Sequence, residues 1–121
     1  YLIIVLYVTY LISNVVQEDI FKIPILVLPE NGDYLQKNKI SLTWNEMEYQ
    51  NLSYEIQIAE DFRFKNITYY QSSARHAYYL DASLNPDQKY YWRIRAIING
   101  EKKSWSFPHY FYTTEIKEIT S

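Results

Sequence analysis

Leu84-Asn85-Pro86-Asp87-Gln88-Lys89-Tyr90-Tyr91-Trp92-Arg93-Ile94-Arg95-Ala96 is the stretch that decides how this chain folds. From Lys89 onward, Tyr90, Trp92, Ile94 and Ala96 share one parity, while Tyr91, Arg93 and Arg95 share the other. Successive side chains of a β-strand point to opposite faces. The pattern therefore predicts a strand over Lys89 to Ile97, packed on one side and turned outward on the other.

The same period of two recurs on both sides of this stretch. Upstream, Ile25 to Leu28 reads as a first strand, ended by Pro29 and the turn Glu30-Asn31-Gly32-Asp33. Ile40-Ser41-Leu42-Thr43-Trp44 follows, with Ile40, Leu42 and Trp44 expected to face inward. Tyr54-Glu55-Ile56-Gln57-Ile58 repeats the alternation and is expected to turn Glu55 and Gln57 toward water. Further short strands are predicted at Thr68 to Gln71, Ala77 to Asp81 and Tyr110 to Thr114. Closely spaced short strands of this kind, without helical periodicity after Pro24, imply an all-β antiparallel sandwich rather than parallel α/β layers.

The segment Leu84 to Ala96 resembles the E–F corner and F strand of fibronectin type III domains. The resemblance implies a seven-stranded, immunoglobulin-like β-sandwich. It also implies that Leu84 plugs the bottom of the core, Pro86 shapes the turn and Tyr90 returns its hydroxyl to the backbone as a tyrosine corner. Pro29, Trp44 and Tyr54 to Ile58 agree in order and spacing. Tyr90-Tyr91-Trp92-Arg93-Ile94-Arg95-Ala96, with Ser104-Trp105-Ser106 and Phe111-Tyr112-Thr113, is similar to modules attached to bacterial secreted enzymes and surface proteins. Ser104-Trp105-Ser106 also resembles the second half of the Trp-Ser-x-Trp-Ser box of cytokine receptors, whose first half and cysteines this chain lacks.

Composition narrows the function classes. The 121 residues suit one domain. Twelve basic and fourteen acidic residues leave a net charge of −2 without a basic block, which argues against nucleic acid as a partner. Absence of cysteine removes disulfides, thiolate nucleophiles and cysteine-based zinc sites together. No glycine-rich phosphate loop or nucleophile elbow occurs, so no cofactor and no enzymatic activity are expected. His76 and His109 have no carboxylate or histidine at ligand spacing.

Residues 2–16 are an uncharged apolar run, with Glu18 and Asp19 directly after it. Fifteen helical residues reach roughly 22 Å, short of the ~30 Å hydrocarbon core, which favours an export signal over an uncleaved anchor or a buried strand. The expected organisation is a signal or anchor over 1–19, the sandwich over 23–114 and a linker or tail over 115–121. A secreted or cell-surface location follows from that reading.

Several side chains are candidates for function. Trp44 and Trp92 fall on the inward parity of strands from opposite sheets and are expected to meet in the core. Arg93 and Arg95 point outward toward Trp105, where a cation–π latch is expected. Glu55 and Gln57 face the same arginines as cross-strand partners. Carboxylate pairs drawn from Glu46, Glu48, Glu60 and Asp61 are the one hydrolytic arrangement available, on adjacent loops of a domain with no deep cleft. Fourteen tyrosines either reflect an AT-rich coding bias or build a flat exposed platform for sugar rings. The leading expectation is a noncatalytic spacer, adhesion or protein-interaction module whose partners are other domains of the same polypeptide or extracellular proteins. A polysaccharide-binding accessory module is the alternative, and membrane contact is confined to residues 2–16.

Overall fold

The computed structural model describes residues 2–115. Helix α1 spans Leu2–Phe21. Nine strands follow among the described residues: β1 (Leu26–Leu28), β2 (Asp33–Gln36), β3 (Ser41–Trp44), β4 (Leu52–Ala59), β5 (Ile67–Ser73), β6 (Ala77–Tyr79), β7 (Lys89–Ile98), β8 (Glu101–Lys102) and β9 (His109–Thr114). They form a small sheet in the order β1-β3-β6 and a larger one in the order β2-β9-β7-β4-β5, with β8 also paired to β7. The two sheets make the expected sandwich.

Seven strands were expected and nine are present among the described residues. The first addition, β2, runs parallel to β9 from Asp33 opposite Phe111 to Gln36 opposite Thr114. Its sequence Asp-Tyr-Leu-Gln shows no alternation because an edge strand buries neither face well. The second, β8, closes a hairpin on β7 through Asn99-Gly100, both at positive φ. That dipeptide favours a two-residue hairpin turn, because both central positions need a left-handed backbone.

Strand β7 sits between β4 and β9 and organises the core. Its residues alternate between half-buried and buried along all ten positions. Tyr90, Trp92, Ile94 and Ala96 face inward against Ile56 and Ile58 of β4, Ile40 and Leu42 from the other sheet, and Phe111 of β9. Each fully buried large apolar side chain contributes roughly 1.5 to 3 kcal/mol relative to exposure. Trp44 and Trp92 are both buried, but each has a different aromatic partner. Trp44 meets Tyr54 edge-on at 5.2 Å, and Trp92 meets His109 at 6.0 Å. The two indoles occupy different levels of the sandwich because Trp92 pairs across the ladder with Ile58 and not with Tyr54.

The turn before β7 is held from three sides. Leu84 is buried, and its N–H donates to the Lys37 carbonyl at 2.9 Å. The Asn85 N–H donates to the Tyr90 hydroxyl at 3.0 Å, while half-buried Pro86 leads into Asp87 at φ 52°. Thr113 Oγ1 accepts the Gln88 N–H at 3.1 Å and donates to the Asn85 carbonyl, tying the corner to β9.

The apolar N-terminal run is helical, not extended, and Leu2 to Val8 are exposed along it. Among the described residues no helix is long and apolar enough to cross a membrane. The polar tail expected over 115–121 lies, beyond Glu115, outside the described residues.

Tyr90→Phe leaves the Asn85 N–H without its acceptor beside a fully buried ring. It is expected to cost about 1 to 3 kcal/mol in urea unfolding followed by tryptophan fluorescence. A change within about 0.5 kcal/mol would show that the hydroxyl contributes nothing to the corner.

Candidate functional site: the outer face of the larger sheet

The strand pleat that buries Tyr90, Trp92 and Ile94 turns Lys89, Tyr91, Arg93 and Arg95 onto the opposite face of β7. Register then brings Glu55 opposite Arg95 and Gln57 opposite Arg93. Glu55 Oε1 accepts from Arg95 Nε at 2.9 Å and pairs with Arg95 Nη2 at 2.9 Å and Lys102 Nζ at 3.6 Å. Gln57 Oε1 accepts from Arg93 Nε at 2.9 Å and Nη2 at 2.7 Å.

Contrary to the sequence expectation, Glu55 and Gln57 do not face water: they are only 2% and 8% exposed. The cover is a stack of alternating rings and guanidinium planes. Arg93 lies 4.1 Å from the Phe64 ring and 4.3 Å from Trp105, and Arg95 lies 4.4 Å from Trp105 on the same indole. Aromatic faces attract the cations, and the planar forks engage Glu55 Oε1 and Gln57 Oε1 beneath them, while Glu55 Oε2 is buried without a hydrogen-bond partner. Burial first, then the neighbouring Arg95 charge, lowers the Arg93 pKa from its ordinary value. Arginine nevertheless stays protonated.

The backbone on both sides of the stack explains its residue choice. Ser106 N–H donates to the Ile94 carbonyl at 2.8 Å, and the Ile94 N–H donates back to Ser106 Oγ at 3.0 Å. A serine hydroxyl thus occupies the ladder position that β9 does not reach, and it sets Trp105 over the arginines. On the other side, Phe64 adopts φ 57°, a left-handed conformation uncommon for a bulky side chain. Asp61 fixes that turn by accepting the Lys65 and Asn66 amides at 3.0 and 2.8 Å, and those bonds lower its pKa. Phe64 carries no periodic signal and was not among the sequence candidates, since a turn residue in an unusual conformation lies outside any strand pattern.

Beside the stack runs a second feature, a row of six rings. Tyr34 of β2 stacks on Tyr112 of β9 at 5.1 Å, and Tyr112 meets Tyr110 at 6.0 Å. Tyr110 meets Tyr91 at 6.3 Å, Tyr91 meets Phe62 at 5.7 Å, and Phe62 meets Phe107 at 5.7 Å. Lys89 Nζ lies over Tyr110 at 4.4 Å and Tyr91 at 5.0 Å. Tyr34 is 71% exposed, Phe62 48% and Phe107 76%. Two contacts are close to perpendicular, 83° at Tyr110–Tyr112 and at Tyr91–Phe62, so the row is a corrugated ridge and not the flat platform that the tyrosine content offered as an alternative to coding bias.

The tyrosine pairs Tyr69-Tyr70 and Tyr78-Tyr79 alternate, with Tyr69 and Tyr78 packed against the core. The Tyr69 hydroxyl lies 3.1 Å from both the Tyr78 hydroxyl and Asp81 Oδ1. Burial, followed by these two neighbours, raises its pKa.

The carboxylates considered for hydrolysis do not come together. Glu46 and Glu48 precede β4, whereas Glu60 and Asp61 follow it. An eight-residue strand separates its ends by roughly 25 Å, well beyond the spacing that two cooperating carboxyls need. Glu46 borders a shallow hollow with Tyr54, Arg75 and His76. His76 Nδ1 lies 3.1 Å from the Trp44 carbonyl. Among the described residues no cluster of three His, Cys, Asp or Glu is placed to hold a metal ion.

Two measurements follow. Trp105→Ala removes the plane shared by both arginines and uncovers Glu55, and is expected to cost about 1 to 3 kcal/mol in urea unfolding; a loss under about 0.5 kcal/mol would mean the stack carries no stability. The second concerns His109, whose pKa burial lowers from 6.5 and whose Nδ1 is buried without a hydrogen-bond partner, as is Trp92 Nε1 beside it. The folded state therefore takes up this proton less readily than the unfolded chain, so stability falls as pH drops below about 6.5. The fall continues down to the lowered native value. Urea midpoints measured from pH 7.5 to 5 should show a slope in this window that His109→Phe reduces; an unchanged slope would remove His109 as its source.

The matches to known proteins agree with this architecture. A family model described as "Rha78A-like, N-terminal immunoglobulin domain" matches residues 35–116. No curated protein matches the chain. Among solved structures, the fourth FNIII domain of a human protein superposes with a TM-score of 0.59 at 20% identity, covering 82% of this chain and 83% of that one. A fibronectin type III domain of the human KIAA0970 protein gives 0.58 at 17%, covering 80% and 74%. The sixth such domain of human fibronectin type III domain containing protein 3 gives 0.55 at 14%, covering 83% and 89%. With its fibronectin type III-like sandwich, the chain belongs to the family of Rha78A-like N-terminal immunoglobulin domains.

Proposed function

We propose that this chain is a noncatalytic interaction and spacing module of a larger secreted or surface protein, and that it docks through the aromatic ridge on its larger sheet. The carrying observation is the exposure of Tyr34, Phe62 and Phe107 in one contiguous row with Tyr91, Tyr110 and Tyr112. Isolated exposed apolar side chains are ordinary, but contiguous aromatic patches mark interaction surfaces, where Tyr, Trp and Phe are enriched. Fibronectin type III and immunoglobulin-like domains are typically noncatalytic interaction modules. The family description, which names an N-terminal domain, supports a first partner in the rest of the same polypeptide.

An extracytoplasmic location is supported by the uncharged run at 2–16, with Leu2 to Val8 exposed on a helix. On this reading 1–19 is an export signal or anchor, 23–114 the module and 115–121 a connector. The polysaccharide alternative draws on Tyr34 and Phe107, the two most open rings of the ridge, which lie at its opposite ends and are free to stack on a sugar. Retarded migration in a native gel cast with soluble polysaccharide would favour it.

Amine-reactive cross-linking of the native gene product tests the leading reading. Lys89 sits in the middle of the ridge, so its cross-links should reach lysines outside 23–114, and Tyr34→Ala with Phe107→Ala should abolish them. Cross-links from Lys89 confined to the sandwich would rule the ridge out as a docking surface.

A further inference from the structure

Strand β5 ends the larger sheet, and its outer edge bonds no other described strand. Which of its backbone groups point outward follows from the ladder. Ile94 and Ala96 of β7 bond away from β4, to Ser106 and Lys103. Groups on a strand alternate in direction, so Arg93 and Arg95 bond toward Gln57 and Glu55 of β4. The intervening Tyr54, Ile56 and Ile58 then bond toward β5, reaching Ser73, Gln71 and Tyr69. The peptide groups of Tyr70 and Ser72 are left facing outward, while Thr68 is the extra residue where the β4–β5 register shifts between Ile58 and Ala59, at the start of the strand. The Ser72 N–H agrees with this, since it donates to the Gln71 side chain at 3.0 Å and not to β4.

Exposed edges normally carry charge, proline or extreme brevity that stops them from recruiting another strand. The other open edges here have such guards. β1 has three residues between Pro24 and Pro29, β6 has three, and β2 begins with Asp33. β5 is seven residues long, Ile-Thr-Tyr-Tyr-Gln-Ser-Ser, without charge or proline, and Lys65 and Arg75 lie outside it. Ile67 and Tyr70 are 45% and 49% exposed.

We propose that β5 pairs antiparallel with β5 of a second copy of this chain, joining two larger sheets across a two-fold axis. An uncharged strand meets its own image without repulsion and offers no charge with which to select a different partner. Under two-fold symmetry about Tyr70 the Thr68 hydroxyl of one copy comes near the Ser72 hydroxyl of the other, a favourable cross-strand combination. The inference does not rest on the aromatic ridge: it uses the backbone edge of β5, whereas the ridge is built from side chains of β2, β9, β7 and the turns that carry Phe62 and Phe107.

Because the full chain contains no cysteine, introduced thiols report this contact without background. Tyr70→Cys, which meets its own image on the axis, and the double variant Thr68→Cys/Ser72→Cys, whose thiols meet across it, should yield disulfide-linked dimers on mild oxidation, at least one of them about tenfold more efficiently than Glu101→Cys on the exposed β8 hairpin, because the bond requires Cα atoms within about 7 Å. Cross-linking absent in both, or no more efficient than at Glu101→Cys, would overturn the proposal. Adding Tyr70→Pro to the Thr68→Cys/Ser72→Cys double variant removes only an outward N–H, so the cross-link should disappear while circular dichroism stays unchanged. If the proline variant does not fold, Tyr70→Lys places a charge on the axis and should have the same effect. Persistence of the cross-link in whichever variant folds would also overturn the proposal.

Discussion

The alternation of β7, paired on one side with β4 and on the other with β9, is the constraint on which the rest of the structure depends. Side chains of a central strand have only two directions available. Placing Tyr90, Trp92, Ile94 and Ala96 in the core therefore commits Lys89, Tyr91, Arg93 and Arg95 to the outer face. The core and the candidate interaction face are consequences of one pleat. A one-residue slip would exchange them and bury two guanidinium groups among aliphatic side chains.

The outer face solves the problem of placing charge on a densely packed surface by layering it. A buried carboxylate is costly unless fully paired; Glu55 Oε1 takes both Nε and Nη2 of Arg95 with Lys102 nearby, while Oε2 is left buried without a hydrogen-bond partner. The guanidinium planes are in turn covered by Phe64 and Trp105. The layering depends on elements distant in sequence: a turn after β4, the middle of β7 and the segment before β9. Ser106, bonded twice to Ile94, holds that last segment against β7, so the indole sits over the arginines without belonging to a strand.

Two parts of the same sheet thus have different characters. Around Arg93 and Arg95, the polar groups apart from the covered Glu55 Oε2 are consumed by internal partners, and little is left exposed to recognise another molecule. Across β2, β9 and the start of β7, rings meet one another at steep angles and their outermost members remain open. Such a surface is aromatic and uneven, the kind of patch in which Tyr and Phe are enriched at protein interfaces. Edge strand β5 adds a third character, backbone groups without a partner strand.

The sandwich was legible in the sequence because its evidence is local: alternation at Ile40 to Trp44, Tyr54 to Ile58 and Lys89 to Ile97, with the Leu84 to Tyr90 corner. Period two follows from the geometry of a half-buried strand and needs no knowledge of its neighbours. Asn99-Gly100 was an equally local sign of the β7–β8 hairpin. Other features had no local sign. Glu55 and Gln57 have outward parity, and their burial depends on what lies above them. Phe62, Phe64 and Phe107 sit outside the strands, so no period marks them, and the two pairs of candidate acids were separated only by the length of β4. Alternation along one strand determined which side each residue faces. Only the packing of distant segments decided what that side touches, because the cover over a sheet comes from turns whose positions are set by the whole fold.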